Sequence, residues 1–331
     1  MSAERPLELA IPFGWYCVGF SDELAVGEVK PVRYFGQDLV MYRTLTGEAC
    51  LASAYCPHLG AHLGHGGVVD EVGINCPFHG WKFTTGGEVA EIPYASALPP
   101  RAFKQGTQEP KPCLRTFEID ERNEFIFAWY HPDGAEPSFS VAPFEELDSG
   151  EWTKCTRNQW VINTQLQETA ENAVDTAHFA TVHNTGGIEP RTEVTFDGVR
   201  RKSIIYLGHQ RVDVEGAIAE KDTETVEGQI HSVNVGPGQT WNRNYGIDLL
   251  MIGLPAPIEA NKLELRFACS VPKAYAEKNA DINQLIIENA CEQVNQDIPI
   301  WENKIYRADP MLCDGDGPIA QFRKWFKQFY A

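Results

Sequence analysis

The 331-residue chain lacks several features that would assign it to a large class of proteins. It has no run of about 18 apolar residues, so no segment is predicted to span a bilayer. Its first residues lack the basic start and apolar core of a signal peptide. Basic residues are scarce, with 28 Lys and Arg against 46 Asp and Glu. The net charge of −18 disfavours nucleic acid or an anionic membrane as a partner.

Disulfide spacing is missing as well. The cysteines number nine, which is odd, and seven of them follow no framework: Cys17, Cys50, Cys113, Cys155, Cys269, Cys291 and Cys313. Lone cysteines of this kind are usually small buried hydrophobic residues in a reducing compartment. We therefore expect a cytoplasmic protein.

The two remaining cysteines belong to a repeated arrangement of one cysteine and one histidine. Cys56 precedes His58 by two residues, and Cys76 precedes His79 by three, so each pair can come from one tight loop. Two thiolates and two imidazoles can hold either a tetrahedral zinc ion or a [2Fe–2S] cluster with unlike ligands on its two irons. Zinc fingers usually keep the cysteines together and the histidines together. The alternation therefore favours the cluster.

A second set of ligand-type side chains lies between Glu171 and His183. On a helix, Asp175 and His178 are three residues apart and share a face, with Glu171 one turn earlier. His183 is five residues after His178, about 140° around a helix, so the two histidines converge only if the helix kinks, bulges or ends. Two glycines directly after Thr185 supply a stop. Polar residues on a helix surface beside a loop histidine remain the alternative interpretation.

Strand and helix patterns divide the chain into two predicted domains. Short β-rich segments separated by turns predict a small antiparallel β domain over residues 14–130, with the metal loops at one end. Residues 131–331 begin with a Pro-rich acidic linker and continue as strands flanked by helices. One helix is predicted from about Leu166, another over Ala280–Tyr306, and an amphipathic tail over Ile319–Tyr330. The fold class is therefore α+β, with antiparallel sheets and residues 1–13 as an N-terminal extension.

The sequence around the paired motif, from Tyr55 to His62 and from Asn75 to Trp81, closely resembles the Rieske signature. The acid-histidine-histidine pattern follows it as in the oxygenase components of Rieske non-haem iron hydroxylases, which the chain resembles from about Gly14 onward. It is most similar to 3-ketosteroid 9α-hydroxylase oxygenases and cholesterol 7-desaturases. The shared stretches include Gly14-Trp15-Tyr16, residues 34–40 and 54–64, Ile92-Pro93-Tyr94, residues 300–304, Asp316-Gly317-Pro318 and Gln328-Phe329-Tyr330.

This resemblance implies two cofactors and their ligands. The Rieske [2Fe–2S] cluster would be held by Cys56, His58, Cys76 and His79, and a mononuclear Fe(II) by His178, His183 and one carboxylate. Two histidines plus a carboxylate form the facial triad of non-haem iron oxygenases.

The resemblance implies that the carboxylate comes from the long C-terminal helix, where the candidates are Asp281, Glu288, Glu292 and Asp297. The segment after Gln296 is similar to that of steroid-acting members, so we expect Asp297, with Glu292 as the alternative. Pro299 is expected to loosen the helix and let Asp297 reach inward. Asp175 is then expected to link an iron histidine to a Rieske histidine of a neighbouring subunit in a homotrimer.

The implied activity is that of a terminal monooxygenase component, which uses O₂ and external electrons to hydroxylate a hydrophobic substrate such as a steroid or sterol derivative. The sequence has no G-x-G-x-x-G loop and no C-x4-C-x2-C motif. Electrons are therefore expected from a separate NAD(P)H-dependent reductase or ferredoxin. Two alternatives remain: the same build acting on a small aromatic, heteroaromatic or methylated substrate, and a Rieske electron-transfer protein without catalysis. The second domain argues against the electron carrier.

Overall fold

A computed structural model describes residues 8–183, 192–211, 225–245, 247–278 and 280–331. The chain forms two compact units. The N-terminal unit is Cys17–Tyr130, and the C-terminal unit combines Met1–Tyr16 with His131–Ala331.

The strands up to Tyr130 are short, as their closely spaced turns predict. They are β1 Gly14–Phe20, β2 Val29–Tyr34, β3 Gln37–Arg43, β4 Ala49–Ser53, β5 Val68–Val69, β6 Gly73–Asn75, β7 Lys82–Thr84, β8 Val89–Glu91, β9 Ile119–Arg122 and β10 Phe125–Tyr130. In the described residues they form three small sheets, ordered β1-β10-β9, β2-β3-β4 and β5-β6-β7-β8. Before β9 begins at Ile119, Thr116 makes only an isolated bridge to Ala52.

The hairpin between β2 and β3 illustrates how the sequence fixes this unit. Tyr34 pairs with Gln37, so the connection is only two residues long. Phe35 and Gly36 both have positive φ, 57° and 71°, which is the conformation that matches the twist of a two-residue hairpin. Phe35 is nevertheless buried and stacks on Tyr130 at 4.5 Å between ring centroids. Packing of the ring thus offsets the backbone strain.

One antiparallel sheet dominates the C-terminal unit. Its strands are β11 Thr156–Ile162, β12 Thr192–Asp197, β13 Arg200–Arg211, β14 Thr225–Val235, β15 Gln239–Asn244, β16 Leu249–Glu259 and β17 Lys262–Ser270. Within the described residues the order is β11-β17-β16-β15-β14-β13-β12. Neither β12 nor β15 was predicted, since their sequences, TEVTFD and QTWNRN, are short and mostly polar.

The helices are α1 Glu145–Asp148, α2 Leu166–Glu171, α3 His178–Val182, α4 Lys273–Ala276, α5 Ala280–Asn303 and α6 Ile319–Phe326. Helix α5 packs Ile287 and Ala290 against Leu249 and Cys269 of the sheet. It continues through Pro299, so the proline does not end the helix. The backbone N–H of Lys304 still donates to Ile300 at 3.0 Å, which keeps the last turn closed.

The predicted α+β class with antiparallel sheets is confirmed. The aromatic tail also packs as expected: Phe322, Phe326 and Phe329 are fully buried. Among the helices of the described ranges, none combines the length and apolar character needed to cross a membrane.

Candidate metal centres

The two Cys/His loops share one backbone frame. In each, the cysteine N–H donates to the carbonyl five residues later, and the N–H of the glycine four residues later donates to the cysteine carbonyl, at 2.8 to 3.0 Å. The pairs are Cys56 with Gly60 and Cys76 with Gly80. Both glycines have positive φ, 76° and 69°, which L side chains rarely adopt. The frame therefore presents each histidine from a tight turn.

The four ligand-type side chains face one another. Cys56 and Cys76 are buried, and the rings of His58 and His79 lie 4.8 Å apart. The Nδ1 atoms of both histidines are buried and have no hydrogen-bond partner among the described residues. A buried, unpaired polar atom costs free energy unless a ligand satisfies it. Two thiols and two unpartnered imidazole nitrogens fit a [2Fe–2S] cluster of the Rieske kind.

These four side chains do not fit a single zinc ion. Within the described residues, only His178, His183 and Asp297 bring three candidate ligand atoms within 4.8 Å of one another. The Cys/His loops therefore spread their donors more widely than a tetrahedral ion allows, as expected where two irons share the ligands.

Burial raises the pKa of the Cys56 thiol to about 11, although the backbone amides of His58 and Leu59 favour the thiolate. A thiolate at this position therefore needs a positive partner, which a metal provides. The His58 ring stacks on Trp81 at 4.6 Å and 11°, and Trp81 Nε1 donates to Tyr94 Oη at 2.9 Å. These contacts hold the imidazole plane in one orientation.

The second centre begins where the predicted continuous helix is broken. Helix α2 ends at Glu171 and α3 begins at His178, so Asp175 lies in the 172–177 turn rather than on a helix face. Glu171 is the last residue of α2, and its carboxylate accepts two hydrogen bonds from Arg323, at 2.7 and 2.9 Å. The predicted single helix through these residues is wrong.

Helix α3 ends at Val182 and leaves His183 as its C-terminal cap, with φ −98° and ψ 0°. This end turns the His183 ring back toward His178, so their centroids lie 5.1 Å apart. The glycines after Thr185, predicted as the stop, lie outside the described residues.

Asp297 of α5 completes a compact group with the two histidines. Its Oδ1 lies 3.4 Å from His183 Nε2 and 4.0 Å from His178 Nε2. The carboxylate is buried, and burial raises the pKa of Asp297 in spite of the neighbouring histidines. Neither ring nitrogen of His178 has a hydrogen-bond partner among the described residues. An acid and two imidazoles held this closely fit a divalent cation.

Side chains around the group orient its ligand atoms. Asn172 Nδ2 donates to Asp297 Oδ2 at 2.9 Å, and Gln296 Oε1 lies 2.9 Å from His183 Nδ1. These bonds leave Oδ1 and Nε2 facing inward, the arrangement expected of residues that support metal ligands. Sequence analysis did not identify Asn172 or Gln296; their only signal was position beside predicted site residues.

Two of the other candidate acids do not reach this group. Glu292 is exposed and accepts from Asn295 at 3.0 Å, while Glu288 is exposed and pairs with Gln284 at 2.9 Å. The side chain of Asp281 lies outside the described part of the chain.

Asp175 lies beside His178 but is not one of the three converging ligands. Its Oδ2 is 3.7 Å from His178 Nδ1, an ion-pair separation that is too long for a hydrogen bond. Burial acts to raise the pKa of Asp175, but the neighbouring His178 outweighs burial and lowers the pKa overall. The carboxylate is therefore available as an anion next to the imidazole.

A cavity of about 180 Å³ opens beside the three converging residues. Its apolar walls include Phe179, Ile205, Met251, Leu265, Phe267 and Trp301. Polar side chains from β14 and β15 interrupt this lining, among them Ser232, Asn234 and Asn242. An apolar cavity with a few polar groups is the usual form of a small-molecule site.

Comparison with known proteins places both centres in context. Residues 14–109 match the family described as "Rieske [2Fe-2S] domain", and residues 128–330 match "3-Ketosteroid 9alpha-hydroxylase C-terminal domain". A cholesterol 7-desaturase of Xenopus laevis is 32% identical, over 97% of this chain and 72% of the relative. A 3-ketosteroid-9-alpha-monooxygenase oxygenase component of Rhodococcus rhodochrous is 29% identical, over 96% of this chain and 82% of the relative.

Among solved structures, dicamba monooxygenase bound to 3,6-dichlorosalicylic acid superimposes with a TM-score of 0.74 at 16% identity, covering 96% of both chains. At this identity the likeness extends to the fold alone.

Proposed function

The chain belongs to the Rieske non-haem iron oxygenases, and from this premise we propose that it is the oxygenase component of a multi-component monooxygenase that hydroxylates a steroid or sterol-derived substrate. Its cofactors are a Rieske [2Fe–2S] cluster and a mononuclear iron, and it is an oxidoreductase. The observation that carries the proposal is the convergence of His178, His183 and Asp297 beside an apolar cavity.

We assign the cluster to Cys56, His58, Cys76 and His79, and the mononuclear iron to His178, His183 and Asp297. The corresponding domains are residues 14–130 and 131–331. The unpartnered Nδ1 atoms of both loop histidines and the inward-facing donors of the triad support these assignments. When bound, the cluster supplies single electrons and the iron supplies activation of O₂.

The protein's own part in the reaction is to bind, orient and exclude water. Apolar side chains such as Phe179 and Phe267 remove the substrate from water and hold its C–H bonds near the triad. Asn172 and Gln296 fix the ligand atoms of Asp297 and His183, which would hold the iron beside the cavity. Asp175 keeps a negative charge beside His178 and orients that ring.

We further propose that Asp175 links the iron site to a Rieske histidine of a neighbouring subunit, which requires a homotrimer. Electrons would come from an NAD(P)H-dependent reductase or a ferredoxin. Among the described residues, none of the nine cysteines forms a disulfide bond, which supports a reducing, cytoplasmic location.

The relatives named as steroid and sterol enzymes support the proposed substrate class. One observation favours a second candidate, a small aromatic or methylated compound. The cavity formed by the described residues, about 180 Å³, is below the roughly 300–1,000 Å³ usual for ligand sites. Two proteins of similar fold were solved with small compounds, dicamba and theobromine.

Metal analysis and turnover test the proposal together. We expect three irons per chain, two in the cluster and one mononuclear, whereas an electron carrier would hold only the cluster pair. With a surrogate reductase, a 3-ketosteroid or cholesterol should gain one oxygen or lose two hydrogens by mass spectrometry. Turnover of a methoxybenzoate or an N-methyl heteroaromatic instead would favour the second candidate. Two irons and no turnover of any substrate would contradict the oxygenase.

A further inference from the structure

Arg201 on β13 is a buried charge outside both ligand sets. Its relative exposure is 0%, and among the described residues no carboxylate pairs with it. Burial lowers the pKa of its guanidinium to about 9, so the group remains charged at neutral pH. Burying a charge without a counter-ion is costly, and such a group is retained only where surrounding polar atoms compensate.

The compensating atoms are three oxygens held by the two terminal nitrogens. Nη1 donates to Ser203 Oγ at 2.8 Å and to the carbonyl of Ala173 at 3.0 Å, and Nη2 donates to Ser232 Oγ at 2.6 Å. Ser203 and Ser232 face each other across β13 and β14. The serines therefore fix the guanidinium plane to the sheet. The bond to Ala173 connects the guanidinium to a residue outside the sheet.

Ala173 lies within the 172–177 turn, between two residues that touch the triad. Asn172 donates to Asp297, and Asp175 lies beside His178. The backbone N–H groups of residues 173–175 bond only back to the end of α2, at 3.0 to 3.3 Å. Nothing in those local bonds sets the position of the turn relative to the sheet, whereas the bond from Arg201 does.

We propose that Arg201 is a positioning residue for the mononuclear iron site. Its guanidinium holds the 172–177 turn against the sheet and thereby fixes the positions of Asp297 and His178. The inference rests on the ligand assignment made above. A planar fork that reaches three oxygens at fixed angles cannot be reproduced by the single ammonium of lysine. A positive charge at position 201 should therefore be insufficient to hold the turn in place.

Metal binding measures this role without turnover. We would titrate Mn²⁺ by equilibrium dialysis into cluster-loaded protein stripped of mononuclear iron, and record the EPR spectrum of the bound Mn²⁺. Arg201→Lys should weaken Mn²⁺ binding about 10-fold or more, the range seen when partners of metal ligands are lost. Its EPR line shape should broaden, because the ligands are no longer held in one geometry. Arg201→Met should weaken binding further.

Arg43→Met is the matched control, because Arg43 is a buried arginine of the N-terminal unit that pairs with Glu121 at 2.8 Å. It should lower the unfolding temperature yet leave the Mn²⁺ dissociation constant unchanged. A folded Arg201→Lys variant with the wild-type dissociation constant and line shape would overturn this inference but leave the ligand assignment intact. A wild-type protein that binds no Mn²⁺ would overturn the ligand assignment as well.

If neither Arg201 variant folds, Ser232→Ala provides the test, since it frees one terminal nitrogen and keeps the charge. We expect Mn²⁺ binding to weaken by roughly 2- to 5-fold, less than in Arg201→Lys, because only one of the three hydrogen bonds of the guanidinium is lost. An unchanged dissociation constant in that variant would also reject the positioning role.

Discussion

The two metal centres are built in opposite ways. The cluster loops are local: backbone hydrogen bonds close each loop around its own cysteine, and a glycine with positive φ completes the turn. The proposed iron triad is assembled from distant elements: His178 begins α3, His183 caps its C-terminal end, and Asp297 comes from α5. Its geometry depends on side-chain bonds, including those of Asn172 and Gln296.

The two sites should therefore respond differently to mutation. A backbone frame tolerates change in any side chain that is not a ligand, because the hydrogen bonds belong to the main chain. A side-chain frame shifts when any one partner is removed. We therefore expect the cluster to be lost only through its ligands, and the iron to be lost through ligands and their neighbours alike.

The largest effect should come from a cluster ligand. Cys76→Ala should abolish the cluster, since three remaining ligands cannot complete both irons. Visible absorption and the EPR signal of the reduced protein would disappear, and iron should fall from three per chain to one. Cys113→Ser, which changes a cysteine outside the loops, should retain all three. A Cys76→Ala protein that keeps the Rieske spectrum would show that the loops are misassigned.

The next largest effect should separate the two acids of α5. Asp297→Ala should remove one iron per chain and abolish turnover, while the cluster spectrum stays intact. Glu292→Ala should change neither, because Glu292 is exposed and bonded to Asn295. Metal analysis alongside the visible spectrum checks both variants. The reverse result, with iron lost only from Glu292→Ala, would exchange the ligand while leaving the site in place.

Asp175→Asn should leave both metal centres loaded but slow electron transfer between them. The amide preserves size and one oxygen, yet it removes the negative charge beside His178. Stopped-flow oxidation of the pre-reduced cluster by O₂ with substrate should slow by about 10-fold or more. Asp133→Asn, at an exposed turn, serves as the control. A wild-type rate in Asp175→Asn would make this residue an ordinary turn acid.

The smallest effects should come from the glycines of the cluster frame. A Cβ at Gly60 meets no atom within 4 Å, so Gly60→Ala tests backbone strain alone. It should lower the stability of the N-terminal unit by about 1–2 kcal/mol and retain the cluster. Gly80→Ala should cost more, since its Cβ would lie 3.2 Å from Pro93 Cγ. Thermal unfolding of both variants tests the order, and equal losses would argue against a contribution from Pro93.

The parts of the molecule that are encoded locally were predictable from the sequence. Most strands of the N-terminal unit were identified, because turns between them are frequent and their apolar residues are concentrated. The four Cys/His side chains were predicted as cluster ligands, first from their spacing and then by resemblance. The very short strands β5 and β8 have too few residues to produce a pattern.

The remaining features depend on contacts between distant residues. A continuous helix through Glu171 and His178 was expected because no breaker separates them. The structure interrupts it with a turn that bonds to Asp297 and Arg201. Periodicity within one segment cannot reveal such partners. The choice of Asp297 over Glu292 came from resemblance, and burial of Asp297 is what distinguishes the two in the structure.

The ion pair between Glu171 and Arg323 has a consequence for the order in which the protein is made. Arg323 follows Glu171 by 152 residues, so it is translated much later. The helix α2 that leads into the iron site therefore lacks this ion pair during most of the synthesis of the C-terminal unit. The N-terminal unit draws its contacts from residues already translated by Tyr130. Domains generally fold as units as they emerge. The nascent chain can therefore complete its cluster loops early, and the iron site is completed last.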